Sequence, residues 1–200
     1  MKPLLIASIA SFFLLTTAQA AGDAEAGKSK SAMCAACHGP DGNSPAPTFP
    51  KLAGQHAAYL AKQLAEYKSG ERQNATMNGM AAALSEQDIA DLAAFYSSQQ
   101  VTLGKAAEDK VEAGEAVYRA GNTATGVSAC AACHGPTGSG NPMANFPSLS
   151  GQHADYTVLQ LKAFRAGERA NDAGSMMRGV AKKMTDAEIE AVAQYIQGLH

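Results

Sequence analysis

The heptapeptide Cys34-Ala35-Ala36-Cys37-His38-Gly39-Pro40 returns, residue for residue, as Cys130-Ala131-Ala132-Cys133-His134-Gly135-Pro136. Three other segments keep step with it. Glu25-Ala26-Gly27 recurs as Glu112-Ala113-Gly114, Phe49-Pro50-Lys51-Leu52-Ala53-Gly54-Gln55-His56 as Phe146-Pro147-Ser148-Leu149-Ser150-Gly151-Gln152-His153, and Gly70-Glu71-Arg72 as Gly167-Glu168-Arg169. The offset is 87 at the first pair, 96 at the cysteines, 97 beyond them and 100 at the last helix, so the largest insertion, nine residues, falls in 121–128 of the second copy. A period near 97 residues is too long for a solenoid repeat. The chain is expected to hold two copies of one domain, residues 21–98 and 111–200, joined by a polar linker, 99–110, with Gly104 near its middle.

Each copy reads as helices and loops. A first helix leads toward the cysteines, and a Gly- and Pro-rich loop follows (39–54 and 135–151). A middle helix then carries Tyr59, Leu60, Gln63, Leu64 and Tyr67, matched by Tyr156, Thr157, Gln160, Leu161 and Phe164. The last helix opens on capping-box residues, Ser85 with Asp88 and Thr185 with Glu188. Behind each cap, Ile89, Leu92, Ala93 and Tyr96, or Ile189, Val192, Ala193 and Ile196, follow a helical apolar period. No stretch alternates as a strand would, so the fold class is all-α.

Four cysteines in an exported chain would by default form disulfides, but here all four belong to two Cys-x-x-Cys-His motifs. That spacing sets two thiols one helical turn apart, able to form thioethers with both vinyl groups of one haem, and places a histidine to bind the iron; it is the signal for c-type haem attachment. The expected covalent attachment points are Cys34, Cys37, Cys130 and Cys133, with His38 and His134 as proximal ligands and two haem c groups per chain. A zinc site is the competing reading, but each motif supplies three ligands where zinc takes four. A dithiol redox site would call for a βαβ pattern, which is missing.

The sixth ligand follows from the repeat. Of eight methionines, only Met77 and Met177 fall at matching positions once the offset of 100 is applied, and they are the expected distal ligands. Met80 and Met176 are the neighbours one misregister away. His56 and His153 are also repeated and leave a bis-histidine alternative; a His/Met pair would raise the reduction potential relative to it. Arg178 stands where the first copy has Asn78, so the second haem is expected to have the higher potential if that cation faces it.

The amino-terminal residues 1–20 combine Lys2, an apolar run from Leu4 to Leu15 and the small residues of Ala18-Gln19-Ala20, the pattern of a cleaved secretory signal. The apolar run is shorter than the roughly 20 residues a membrane span needs. Residues 21–100 carry six basic and eight acidic side chains, and residues 101–200 nine and ten, which argues against nucleic acid as a partner. Tryptophan is absent and aromatics are few, so each half has a thin apolar core for its size.

The Pro-x-Leu-x-Gly stretches 50–54 and 147–151 resemble those of class I cytochromes c, in which the proline carbonyl accepts the second ring N–H of the proximal histidine; the resemblance carries that role to Pro50 and Pro147. With both haem motifs, both Phe-Pro-x-Leu-x-Gly-Gln segments, the two methionine positions and the closing residues 195–200, the whole mature chain resembles the bacterial dihaem cytochrome c4 family. The resemblance implies two class I cytochrome c domains related by a pseudo-twofold axis, with haem propionates facing each other across the interface. It further implies a periplasmic location with at most peripheral membrane association, and an electron carrier rather than an enzyme. Electrons would arrive from an upstream quinol-oxidising complex or small cytochrome and pass to a terminal oxidase of the haem-copper type. Two other functions stay open at this point: the cytochrome subunit of a sulfide-oxidising flavocytochrome c, and a dihaem peroxidase, which would need an open iron position.

Overall fold

The structure, a computed structural model, describes residues 21–200; the export segment read from residues 1–20 lies outside them. The first half contains α1 (Ala24–Lys30), α2 (Ala35–His38), α3 (Ala57–Ser69), α4 (Ala75–Ala81) and α5 (Glu86–Ser97). The second contains α6 (Glu108–Ala120), α7 (Ala131–His134), α8 (Ala154–Ala166), α9 (Met176–Ala181) and α10 (Asp186–Gly198). Among the described residues there are no strands, only two isolated bridges, Asn122 with Val127 and Asn141 with Phe146. Both expected capping boxes form, with Ser85 and Thr185 accepting from the backbone of Asp88 and Glu188.

Each half is built on one close helix crossing, α1 over α5 and α6 over α10. The crossing is possible because Gly27 and Gly114 present no side chain: a Cβ on Gly27 would lie 2.0 Å from the Asp91 carbonyl oxygen, and one on Gly114 2.3 Å from that of Ala191. Around these crossings sit two separate apolar clusters. Leu60, Leu92, Ala93, Phe95 and Tyr96 form the first, with Cys34 packed against it. Tyr118, Val127, Met184, Ile189, Val192 and Ile196 belong to the second, with Cys130 packed against it. Both clusters thus end at a cysteine of the motif.

The copies differ in how the first helix reaches the cysteines. In the first, α1 tightens into a 3-10 turn, Ser31–Met33, and runs straight to Cys34. In the second, Gly121 stops α6 with φ 70°, and the inserted residues close a loop through paired backbone bonds between Asn122 and Val127, both 2.9 Å. Val127 then turns into the core, so the insertion is anchored rather than looped out. Residues 108–110, read from the sequence as linker, form the first turn of α6, because Glu108 and Asp109 favour a helix amino terminus. The rest of the linker is pinned to both halves: Asn43 bonds Gln100 and Thr102, while Gln197 and Gln194 bond Lys105 and Ala107.

The halves also meet through a pseudo-symmetric polar interface. The Gln55 amide donates to the Ser148 carbonyl and accepts from its N–H, both 2.9 Å, and the Gln152 amide does the same with Lys51, both 2.9 Å. Each glutamine thereby serves as a short strand partner for the other half's backbone.

Two predictions follow from these contacts. Gly27→Ala or Gly114→Ala drives a methyl group into a backbone carbonyl, and should cost about 1–3 kcal/mol or more by thermal unfolding. Acid should weaken the seating of α1 on α5. Asp91 accepts from the Asp23 N–H at 2.9 Å and from Lys30 at 2.7 Å, which hold its carboxyl below its ordinary 3.8, at about 2. Its contribution is therefore present above about pH 4 and lost as pH falls toward 2. Asp91→Asn should flatten the acid limb of the stability profile; an unchanged limb would contradict the assignment.

Candidate haem sites

Each motif folds as one short helical turn with the first cysteine as its cap. His38 N donates to the Cys34 carbonyl at 2.9 Å, and His134 N to the Cys130 carbonyl at 2.9 Å. Gly39 and Gly135, at φ 78° and 79°, then turn the chain away from the helical path. The following loop doubles back, because the Gly42 carbonyl accepts from Leu52 N at 2.7 Å and the Gly138 carbonyl from Leu149 N at 2.7 Å. This return brings each proline carbonyl to its histidine. Pro50 O lies 2.9 Å from His38 Nδ1, and Pro147 O lies 2.9 Å from His134 Nδ1. Phe49 and Phe146 pack against the same imidazoles, with ring centroids 6.2 Å apart in both copies.

The chemistry of these rings follows. Burial lowers the pKa of both histidines, and the carbonyl contact only partly offsets it, so the imidazoles are neutral. With Nδ1–H donating to the carbonyl, Nε2 keeps its lone pair for a metal, the tautomer a ligating histidine needs. None of the four cysteines is in a disulfide. Burial raises the pKa of Cys34 and pushes that of Cys130 up to about 11. Among the described residues no three His, Cys, Asp or Glu side chains gather to hold a metal ion.

Met77 and Met177 occupy equivalent places, in the first turns of α4 and α9, and both are half-buried. Asn74 fixes the first by accepting from Met77 N at 3.0 Å, and Asp172 fixes the second by accepting from Arg178 N at 2.9 Å. Met176 is 47% exposed, and Met143 and Met33 are 95% and 58% exposed. Met80 falls at the position of Val180, which packs on the second core.

One conditional expectation is not met, and one alternative ligand pair is engaged elsewhere. Arg178 is not a free charge facing the second site. Its Nε pairs with Asp172 Oδ1 at 2.7 Å and its guanidinium also reaches Ser175, so its charge is cancelled where it stands. His56 and His153, the alternative ligands, are engaged between the halves. His56 Nε2 meets the Ser139 carbonyl at 2.8 Å, and His153 Nε2 meets the Ser44 carbonyl at 2.9 Å. Repetition alone could not separate a repeated ligand from a repeated contact.

The residues present fit two covalent haems: a cysteine pair outside any disulfide, a neutral imidazole with its Nε2 lone pair kept for a metal, and a half-buried methionine in each copy. The Tyr96 hydroxyl is buried beside Cys34 and Ser31. The second copy has Ile196 there, and fills the same corner from the other helix with Tyr118, whose hydroxyl donates to the Gly135 carbonyl at 2.7 Å. Sequence reading missed this exchange, as it missed Phe49 and Phe146, although Phe-Pro was among the repeated pairs.

Comparison with known proteins agrees with this geometry. The cytochrome c family model matches residues 24–100 and again 111–200. The chain is 49% identical to a cytochrome c4 of Azotobacter vinelandii over the full length of both proteins. It is 42% identical to a thiosulfate dehydrogenase electron acceptor of Thiomonas intermedia, across 84% of this chain and 78% of that protein. The crystal structure of reduced recombinant cytochrome c4 from Pseudomonas stutzeri superposes with a TM-score of 0.88 at 51% identity, covering 90% of this chain and 100% of that one.

Removing one interface glutamine should expose how tightly these sites depend on the docked halves. Gln55→Ala or Gln152→Ala leaves a backbone N–H and a carbonyl without partners, and should cost about 1–3 kcal/mol in thermal unfolding.

Proposed function

Because the chain belongs to the cytochrome c4 family, a dihaem electron carrier and not an enzyme, we propose the following assignment of its sites and partners. Residues 21–98 and 111–200 each carry one haem c, joined by residues 99–110. Cys34 and Cys37 hold the first haem and Cys130 and Cys133 the second. His38 and Met77 are the axial pair of the first iron, and His134 and Met177 that of the second. Pro50 and Pro147 orient the two histidines. The observation that carries this reading is the matched pair of imidazole–proline carbonyl contacts, 2.9 Å in both copies, beside cysteine pairs that form no disulfide.

When bound, each haem supplies a one-electron iron couple. The chain does the rest by restraint. The thiols tether, the proline carbonyl keeps the imidazole neutral and correctly turned, and the capped first turns of α4 and α9 hold the methionines in place. Filling both axial positions excludes substrate, which separates this reading from a dihaem peroxidase.

The protein works in the periplasm, delivered there by the signal in residues 1–20 and at most peripherally associated with the membrane. It takes electrons from a quinol-oxidising complex or small cytochrome and passes them to a terminal oxidase. Among the described residues no helix is long and apolar enough to cross a membrane. A second source of electrons is favoured by the likeness to a thiosulfate dehydrogenase electron acceptor: this chain would accept electrons from an enzyme that oxidises thiosulfate. Stopped-flow reduction by such an enzyme, compared with reduction by a quinol-oxidising complex, ranks the two sources.

The axial assignment has a direct test. The oxidised protein should contain two covalent haems and show the weak near-infrared sulfur-to-iron charge-transfer band. Met77→Ala and Met177→Ala should each remove about half of it. A band that survives either substitution rejects that methionine.

A further inference from the structure

The cation expected beside the second haem, Arg178, is neutralised by Asp172. A cation that is not neutralised lies in the other half. Lys51 is 8% exposed and directly follows Pro50, whose carbonyl holds the His38 ring at 2.9 Å. Its backbone is clamped from the second half: the Lys51 N–H donates to Gln152 Oε1 and the Lys51 carbonyl accepts from Gln152 Nε2, both at 2.9 Å. Its side chain turns to the segment joining the halves, where Nζ donates to the Thr102 carbonyl. Thr102 is itself pinned, because its N–H donates to Asn43 Oδ1 at 2.7 Å. Lys51 is thus held at both ends.

Among the described residues no carboxylate lies within ion-pair distance of this ammonium. Burial draws its pKa below the ordinary 10.5, while donation to a carbonyl favours the charged form. The second half differs at this position. Ser148 stands there, and its hydroxyl donates to the Gly138 carbonyl at 3.2 Å. Its backbone pairs with Gln55 as that of Lys51 pairs with Gln152. The duplication therefore keeps the backbone grip in both halves and puts a fixed charge in one. A charge that neither an ion pair nor water cancels acts on any charge change nearby. At about 12 Å and an effective dielectric near 20, one unit charge shifts an equilibrium roughly tenfold.

We infer that Lys51 tunes the first redox site: its buried ammonium, fixed on the linker and unmatched in the second half, favours the reduced state of the haem ligated by His38. Reduction adds one electron, from an upstream redox protein, to a ferric iron, and a fixed cation nearby stabilises the added negative charge. The inference rests on the proposed ligation of the first iron by His38. Lys51 takes no part in that ligation and acts through its field. The Thr102 carbonyl keeps the charge in place, so the segment that joins the halves also sets the electrostatics of one of them.

The test uses the haem-loaded protein with Lys51→Met, Lys51→Gln and the charge-keeping Lys51→Arg. Lys28→Met, at an exposed lysine of the same half, serves as control. Haem content and the near-infrared band of the native protein are recorded first, so a failure of the axial assignment shows there, before any lysine variant is compared. The two potentials are then read by redox titration followed by NMR, at resonances assigned to each half. In Lys51→Met and Lys51→Gln the reduction equilibrium constant of the first haem should fall roughly three- to tenfold, and that of the second should fall less. The fall should persist at high salt, because a buried charge is poorly screened. Lys51→Arg should keep most of the native value, and Lys28→Met should change neither potential. A first-haem potential unmoved in the Met and Gln variants overturns the proposal. So does an equal fall in Lys51→Arg, which makes the contact and not the charge responsible. An equal fall at both haems also overturns it, as the mark of a loosened interface.

Discussion

The hydrogen bond from each motif histidine to a proline carbonyl organises much of this molecule. It is a short contact, 2.9 Å in both copies, between residues 12 and 13 positions apart. Making it requires the chain to leave the helical turn at Gly39 or Gly135 and fold back on Gly42 or Gly138. The next residue along is already the domain interface. Pro50 serves His38 while Lys51 pairs with Gln152, and Pro147 serves His134 while Ser148 pairs with Gln55. The segment that sets the ring of one half is thus the segment gripped by the other. Orientation of the imidazoles and docking of the halves are parts of one mechanical unit.

The duplication is close in backbone and looser in side chains. Both halves cross their end helices at a glycine, cap their last helix with a reciprocal box and set a methionine in the first turn of a short helix. They differ where volume or charge can be supplied from either side. The corner beside the first cysteine is filled by Tyr96 from α5 in one half and by Tyr118 from α6 in the other. The turn before the methionine is held by Asn78 in one half, which donates to the Tyr67 and Arg72 carbonyls, and by the Asp172–Arg178 pair in the other. Such exchanges keep the shape of a site while changing the polar groups around it, which is how two haems on one scaffold can come to differ in potential.

The interface shows what a polar contact between domains can do that an apolar one cannot. Directional bonds from Gln55, Gln152, His56 and His153 set one register between the halves. The buried Arg72 and Arg169 add further directional bonds across the halves, to Tyr156 and Gln160 and to Tyr59 and Gln63. Apolar packing would tolerate small slips; buried amides and guanidiniums tolerate few, because each slip leaves a donor or acceptor unsatisfied.

Much of the fold was written in local order along the chain. The repeat announced two domains, the capping boxes and apolar period placed the last helices, and the Cys-x-x-Cys-His spacing marked the thiols and histidines. All of these rest on contacts within a turn or two, where neighbours in sequence must be neighbours in space. What the tertiary structure alone decided is where side chains turn and, for most of them, what they meet at long range. Arg178 is neutralised by a residue six positions back that could as well have pointed elsewhere. His56 and His153 bond to residues 83 and 109 positions away. Arg72 and Arg169, visible only as repeated letters, meet because two domains fold and then dock. No spacing rule reports such meetings, since they depend on the direction a side chain takes once two separately folded surfaces are pressed together.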